Sequence, residues 1–184
     1  MCIRDSLSPA ELAEMEPALA PIFHRALWIQ GSYSVDDPHA VVAAYADLFR
    51  RSGGTFQHLT ATSLRRDGSR WTVLGAAGSE SLSADQLVVA LGPWSKALLK
   101  TTDINLPMAF ERGYHMHYRG VGGASVSRPI HDTDGGYVLS PMARGLRLTT
   151  GVELDACDAP GKSVQLELAE SRAREAFPLG ERLD

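Results

Sequence analysis

Two histidines one residue apart, His115 and His117, carry the most adaptable chemistry in the chain. In an extended segment they share a face, where they could hold a metal ion or stand as a solvated, hydrogen-bonded pair. No third ligand stands at a fitting spacing, which favours the pair. Tyr114 and His115 fall on opposite faces of that segment, so at most one lines a pocket over either face; Tyr114 reads as core, and His115 is the pocket-side candidate. Arg112 shares the apolar face and reads either as a snorkelling edge residue or as an anion clamp. Arg147, between Leu146 and Leu148, faces away from both and carries the same two readings. Asp132 and Asp134 most simply cap a turn. Neither paired carboxylates nor a Ser-His-Asp set is in evidence.

A second chemical candidate is a turn. Residues 87–91 form a continuous apolar run, Leu-Val-Val-Ala-Leu, whose length and β-branched content predict a strand buried on both faces. Gly92 ends it, and Pro93 supplies a helical φ where no N–H is needed, so a helix is expected to start at Trp94. In open α/β sheets such a strand end is where cofactors lie, so Ala90, Leu91, Gly92, Pro93 and Trp94 are cofactor candidates; the alternative is a turn that merely packs.

The elements that must position these groups follow from local signals. Ser8-Pro9-Ala10-Glu11 is a capping box with Pro at the first helical position. Asp37-Pro38, apolar Val41, Val42, Tyr45, Leu48 and Phe49, and the Gly53-Gly54 stop predict a helix. Two β-prone runs flank Asp67-Gly68 as a hairpin, and a third spans 80–82. Residues 108–118 alternate, with Met108, Phe110, Tyr114, Met116 and Tyr118 on one face and Glu111, His115 and His117 on the other. Short strands with tight turns continue as a meander to residue 153, and 162–177 reads as a helix stopped by Pro178. Residues 1–6 fit no element.

The chain has 184 residues, a net charge of −4 and 44% hydrophobic content, ordinary for a globular protein with a real core. Charges of mixed sign form no polyanion-binding stripe, so nucleic acid is not an expected partner. Cys2 and Cys157 have neither C-x-x-C spacing nor a leader beside them, which predicts a reducing compartment. No apolar run is long enough for a membrane span, so the chain is expected to be soluble, or peripheral at most.

Several motifs resemble a known family in order and spacing: Glu111-Arg112-Gly113-Tyr114-His115, Arg128-Pro129, Pro141-Met142-Ala143-Arg144-Gly145-Leu146-Arg147-Leu148, Gly151-Val152-Glu153 and the run to Pro160, preceded by Asp37-Pro38, Gly53-Gly54 and 84–95. Together they resemble the D-amino-acid dehydrogenase-like branch of the FAD-dependent D-amino-acid oxidase superfamily. The resemblance implies an α/β (α+β) chain: the middle of a Rossmann-type FAD-binding domain at 7–100, an antiparallel β substrate domain at 101–159, and a helix with a truncated end at 160–184. It implies FAD as cofactor, held by Thr60 and Ala61 besides the 90–94 turn, and Tyr137 with its hydroxyl near a substrate carboxylate, with His115 as the other catalytic candidate. The implied reaction is hydride transfer from the Cα of a D-amino acid to flavin N5, followed by imine hydrolysis, with a membrane quinone or another acceptor taking the electrons. The resemblance also implies a cytoplasmic location, or one peripheral to the inner membrane. Two alternatives stay open: oxidation of glycine, sarcosine or a 2-hydroxy acid, and a non-catalytic β-rich binding module. The family's G-x-G-x-x-G segment and its closing flavin-binding segment are not found. The chain therefore reads as the middle of a longer enzyme, with 1–6 foreign to it and weak or no FAD retention alone.

Overall fold

The computed structural model describes residues 4–76 and 80–183. Cys2, with the rest of 1–3, lies outside them. Arg4–Leu7 forms strand β1, so half of the segment expected to be foreign, residues 4–6, has a place in the fold. Helix α1 (Pro9–Met15) carries the predicted capping box: Ser8 Oγ accepts from the Glu11 N–H, and the Glu11 carboxylate accepts from the Ser8 N–H. β2 (Ala26–Ile29) returns antiparallel to β1. α2 (Pro38–Arg51) starts where Asp37 Oδ1 accepts from the Ala40 N–H at 3.0 Å and stops at Gly53, whose φ of +89° suits only glycine.

β3 (Ala61–Asp67), β4 (Arg70–Gly75) and β5 (Ser81–Ala84) form an antiparallel sheet in that order, with Gly68 at φ +62° in the predicted hairpin turn. α3 (Ser95–Leu99) packs on it. Thr101 Oγ1 ties the two together, accepting from the Leu64 N–H and donating to the Leu98 carbonyl. Leu64 and Leu98 are the buried apolar side chains here.

β6 (Glu111–Gly120), β7 (Ile130–Asp132), β8 (Tyr137–Met142), β9 (Gly145–Leu154) and, beyond α4 (Val164–Ala176), β10 (Leu179–Leu183) make a five-stranded sheet ordered β10-β6-β9-β8-β7. β10 was not foreseen: the predicted helix ends before Pro178, but the chain then turns and pairs with β6, Leu183 opposite His117. Tyr118, Tyr137, Leu139, Leu146 and Leu148 line one face and pack against Ala169, Ala173 and Ala176 of α4 and against Phe177. Small residues on α4 let its backbone approach the sheet closely, while Val164 and Leu168 of the same helix are exposed.

These elements divide into two compact units. One holds Met1–Tyr45, Arg112–Glu153 and Pro160–Asp184, with the five-stranded sheet; the other holds Ala46–Glu111 and Leu154–Ala159, with the three-stranded sheet. Among the described residues no helix is long and apolar enough to cross a membrane.

The expectation that 7–100 forms the middle of a Rossmann-type FAD-binding domain is overturned. Among the described residues β1–β2, β3–β4, β4–β5, β6–β10, β7–β8 and β8–β9 all pair antiparallel. Residues 87–91, expected to be a strand buried on both faces, belong to no strand, and Val88 is 86% exposed. Among the described residues the backbone of 86–91 makes one backbone hydrogen bond, Leu91 C=O accepting from the Trp94 N–H. A strand exists only through its neighbours, and among the described residues no strand pairs with this run. The architecture is α+β.

Candidate functional site

In the β3–β5 unit the cofactor candidates lie on open backbone. Gly92 adopts φ +55°, and a Cβ built there would meet nothing within 4 Å. It opens a 3-10 turn (Gly92–Trp94) that runs into α3, with Pro93 in the first turn as the sequence predicts. Leu91 is exposed, and Trp94 is 66% exposed. α3 has five residues and its N-cap, Trp94, makes no side-chain cap hydrogen bond, so the macrodipole attraction for phosphate is small. What the turn does offer is free backbone donors and acceptors beside apolar surface, which suits a flat heteroaromatic group or a sugar held by main-chain contacts. Thr60 is exposed just before β3, and Ala61 opens it, paired with Gly75.

In the other unit the structure sends the two catalytic candidates to opposite faces of the five-stranded sheet. Tyr137 is 2% exposed within the core. Burial pushes its phenol well above the ordinary value, reinforced by the charge and hydrogen bond of Asp132. Asp132 also caps the turn as predicted, accepting from the N–H groups of Asp134 (3.1 Å) and Gly135 (2.9 Å). Tyr114 is on the core side, as expected, its hydroxyl donating to Glu153 and accepting from the Lys162 N–H.

His115 and His117 stand on the opposite face, ring centroids 5.8 Å apart and edge to face. Alternation puts Arg147, Thr149, Val138 and Ser140 on this face too, since Leu139 pairs with Leu148 and Ser140 with Arg147 across β8 and β9. Partial burial lowers the pKa of His115, aided by Arg147. His117 is lowered likewise, by burial first and then by His115, Arg144 and Arg147. Both imidazoles are therefore neutral near pH 7, able to donate or accept a hydrogen bond without carrying charge. Among the described residues no group of three metal-ligating side chains forms.

Two polar constellations were missed by the sequence reading. Glu16, 2% exposed, accepts from the Ser127 N–H (2.9 Å) and hydroxyl and is ion-paired with Arg128, whose Nε donates to Ser127 Oγ at 3.0 Å. Glu170 accepts from Tyr118 and pairs with Arg174 and Arg182, joining α4, β6 and β10. Burial and the Glu170 hydrogen bond push the Tyr118 phenol up to about 12. A lone Glu at the end of a short helix carries no local signal of its partner 111 residues away.

The family described as FAD dependent oxidoreductase (DAO) matches residues 3–183, including part of the opening segment that the sequence reading set apart. A D-amino-acid oxidase of Bradyrhizobium diazoefficiens is 28% identical over 172 residues, 94% of this chain and 40% of its own length. A D-amino acid dehydrogenase of Xanthobacter autotrophicus is 33% identical over 132 residues, 70% of this chain and 29% of its own. Among solved structures, glycine oxidase from Geobacillus kaustophilus superposes with a TM-score of 0.80 at 20% identity, covering 96% of this chain and 47% of that one. L-proline dehydrogenase from P. horikoshii gives 0.80 at 13% identity, covering 98% and 50%. These two likenesses show the shared fold. The chain spans less than half the length of these curated relatives.

Proposed function

The chain belongs to the FAD dependent oxidoreductase family, and from that premise we propose that the protein carrying it oxidises an amino-acid-type substrate, a carbon bearing an amine beside a carboxylate, with FAD as hydride acceptor. The observation that carries this reading is the family match, which runs through both compact units. The D-amino-acid oxidase and dehydrogenases among the curated relatives support a D-amino acid; glycine, sarcosine and a 2-hydroxy acid are the sibling substrates.

The family's cofactor supplies the redox chemistry. This chain's contribution is to bind and orient. The open backbone at Ala90, Leu91, Gly92, Pro93 and Trp94, with Thr60 and Ala61, is proposed to take part of FAD through main-chain contacts. His115, neutral and on the uncovered sheet face, is proposed as the substrate-side residue, where it can order water or the amine without competing for charge. Tyr137 is buried in the core, where Asp132 occupies its hydroxyl.

The test is anaerobic addition of D-alanine, glycine, sarcosine and D-lactate to the FAD-loaded protein, followed through the flavin's visible absorption. Bleaching by D-alanine above the others supports the D-amino-acid reading, and bleaching by glycine or sarcosine alone moves the substrate to the sibling class. A protein that holds FAD and bleaches with none of the amines refutes the proposal. Turnover with oxygen against a quinone analogue then identifies the acceptor.

A further inference from the structure

The chain passes between the two compact units four times, at 45–46, 111–112, 153–154 and 159–160. The last three crossings stand next to one cluster of side chains, all of it inside the unit that holds the five-stranded sheet. Tyr114 comes two residues after Arg112, where the chain enters that unit. Glu153 is the residue from which the chain leaves it, and Lys162 comes two residues after the return at Pro160.

The cluster closes on itself. The Glu153 side chain, 9% exposed, accepts from the Tyr114 hydroxyl through Oε2 and from Lys162 Nζ through Oε1 at 2.7 Å. The same Tyr114 hydroxyl accepts from the Lys162 N–H at 2.9 Å, so one phenol ties a carboxylate at the end of β9 to the backbone ahead of α4. Gln165 Nε2 donates to the Val152 carbonyl at 3.2 Å and adds a further tie from the first turn of α4. These bonds shut the neck of the loop 154–161. Joining the ends of a loop costs chain entropy, and hydrogen bonds to a buried carboxylate have the strength to offset it. Inside the loop, the Ala156 N–H donates to the Asp155 carboxylate and the Ala159 N–H to the Ala156 carbonyl, both local contacts, and Leu154 is 70% exposed.

We propose that Tyr114, Glu153 and Lys162 form a clasp that pins these three connections to the five-stranded sheet and opens as one unit, in a local transition distinct from unfolding of the sheet. Each member is oriented by the other two, which is why the opening is shared. Tyr114 is the centre: its hydroxyl is donor to one partner and acceptor from the other, so its loss breaks both bonds and leaves a buried carboxylate oxygen without that donor. The Lys162 ammonium is the weakest arm, because that side chain is 60% exposed and its ion pair is screened. The clasp is independent of which substrate the protein oxidises.

Hydrogen exchange resolved to single amides, on the FAD-loaded protein, tests this. In the wild type the Lys162 amide, donor to the phenol, should be protected, and it should open together with 154–161, more readily than the amides of β8. Tyr114→Phe should speed exchange at Lys162 and through 154–161 about tenfold or more, the loss expected for a hydrogen bond to a charged group, and leave β8 at its wild-type rates. Glu153→Gln should act on the same amides, and the double variant should fall well short of the product of the two single effects. Lys162→Met should change them by less than about fivefold. A wild-type Lys162 amide that exchanges as fast as an unstructured peptide overturns the proposal without any variant having to fold. Unchanged exchange through 154–161 in Tyr114→Phe overturns it as well. So does an equal acceleration of β8, which would make the cluster part of the sheet's global stability, and fully multiplicative effects in the double variant overturn the shared opening.

Discussion

Replacing Glu16 should destabilise the unit built on the five-stranded sheet, and the size of the effect can be worked from its partners. The side chain is 3% exposed, receives two donors, the Ser127 N–H and the Ser127 hydroxyl, and is ion-paired with Arg128. Hydrogen bonds to a charged acceptor are worth about 1.5–3 kcal/mol each. Ser127 is exposed and can regain water, so its two bonds contribute towards the lower figure. The Arg128 side chain is 38% exposed, so its ion pair is screened and adds roughly 0–1 kcal/mol. Relief of the carboxylate's desolvation offsets part of the sum. Glu16→Ala should therefore cost about 3 kcal/mol, and Glu16→Gln, which keeps an acceptor oxygen but no charge, about 1–2 kcal/mol. Urea unfolding followed by far-UV circular dichroism measures both, provided the slope is unchanged. With Ser127→Ala in a double-mutant cycle, the coupling should be about 1 kcal/mol. An Ala variant within about 0.5 kcal/mol of wild type, or a Gln variant less stable than Ala, would refute the reasoning.

Leu148, fully buried between sheet and α4, should cost about 2–5 kcal/mol as Leu148→Ala in the same unfolding experiment. Gly145→Ala should be more disruptive than its single methyl suggests, because φ is +122° and the new Cβ would meet the Tyr118 carbonyl oxygen at 2.7 Å; a melting temperature within error of wild type would contradict this. Acid should weaken the fold in two windows. The lowered pKa values of His115 and His117 mean the unfolded chain binds more protons, so stability should begin to fall as pH drops below 6.5. Although burial opposes it, hydrogen bonds from Arg182, Arg174 and Tyr118 hold Glu170 below the ordinary 4.5, so its contribution is complete above that pH and lost as pH falls further. Glu170→Gln should flatten the second window in a pH series of urea midpoints and leave the first.

What the sequence made legible follows from how local each signal is. The Ser8 and Asp37 caps, the Asp67-Gly68 hairpin and the alternation along 111–118 are decided within a few residues, and the structure keeps all of them. Alternation also predicted that Arg147 turns away from Leu146 and Leu148. The 87–91 run failed for a different reason: its composition suits a buried strand, but pairing needs partner backbone that no local pattern reports. The same limit hid β10, whose Gly180, Glu181 and Arg182 lack a strand signature and are held by pairing to β6 and by Arg174 donating to the Leu179 and Gly180 carbonyls. α2 shows the converse. Its apolar stripe is where the spacing put it, yet Val42 is 66% and Tyr45 69% exposed, so periodicity revealed a face and not what covers it. Of the site, the 90–94 turn and the His115–His117 face were visible as residue types, whereas the burial of Arg147 Nε without a hydrogen-bond partner among the described residues emerges only when the strands are laid side by side.

The central claim is that this chain serves an FAD-dependent oxidation of an amino-acid-type substrate. Anaerobic mixing of the FAD-loaded protein with D-alanine, glycine and sarcosine tests it most directly. Loss of the flavin's visible band with at least one of these, restored on admitting an electron acceptor, is the predicted result; a protein that binds FAD and keeps the band unchanged with all three would contradict the account.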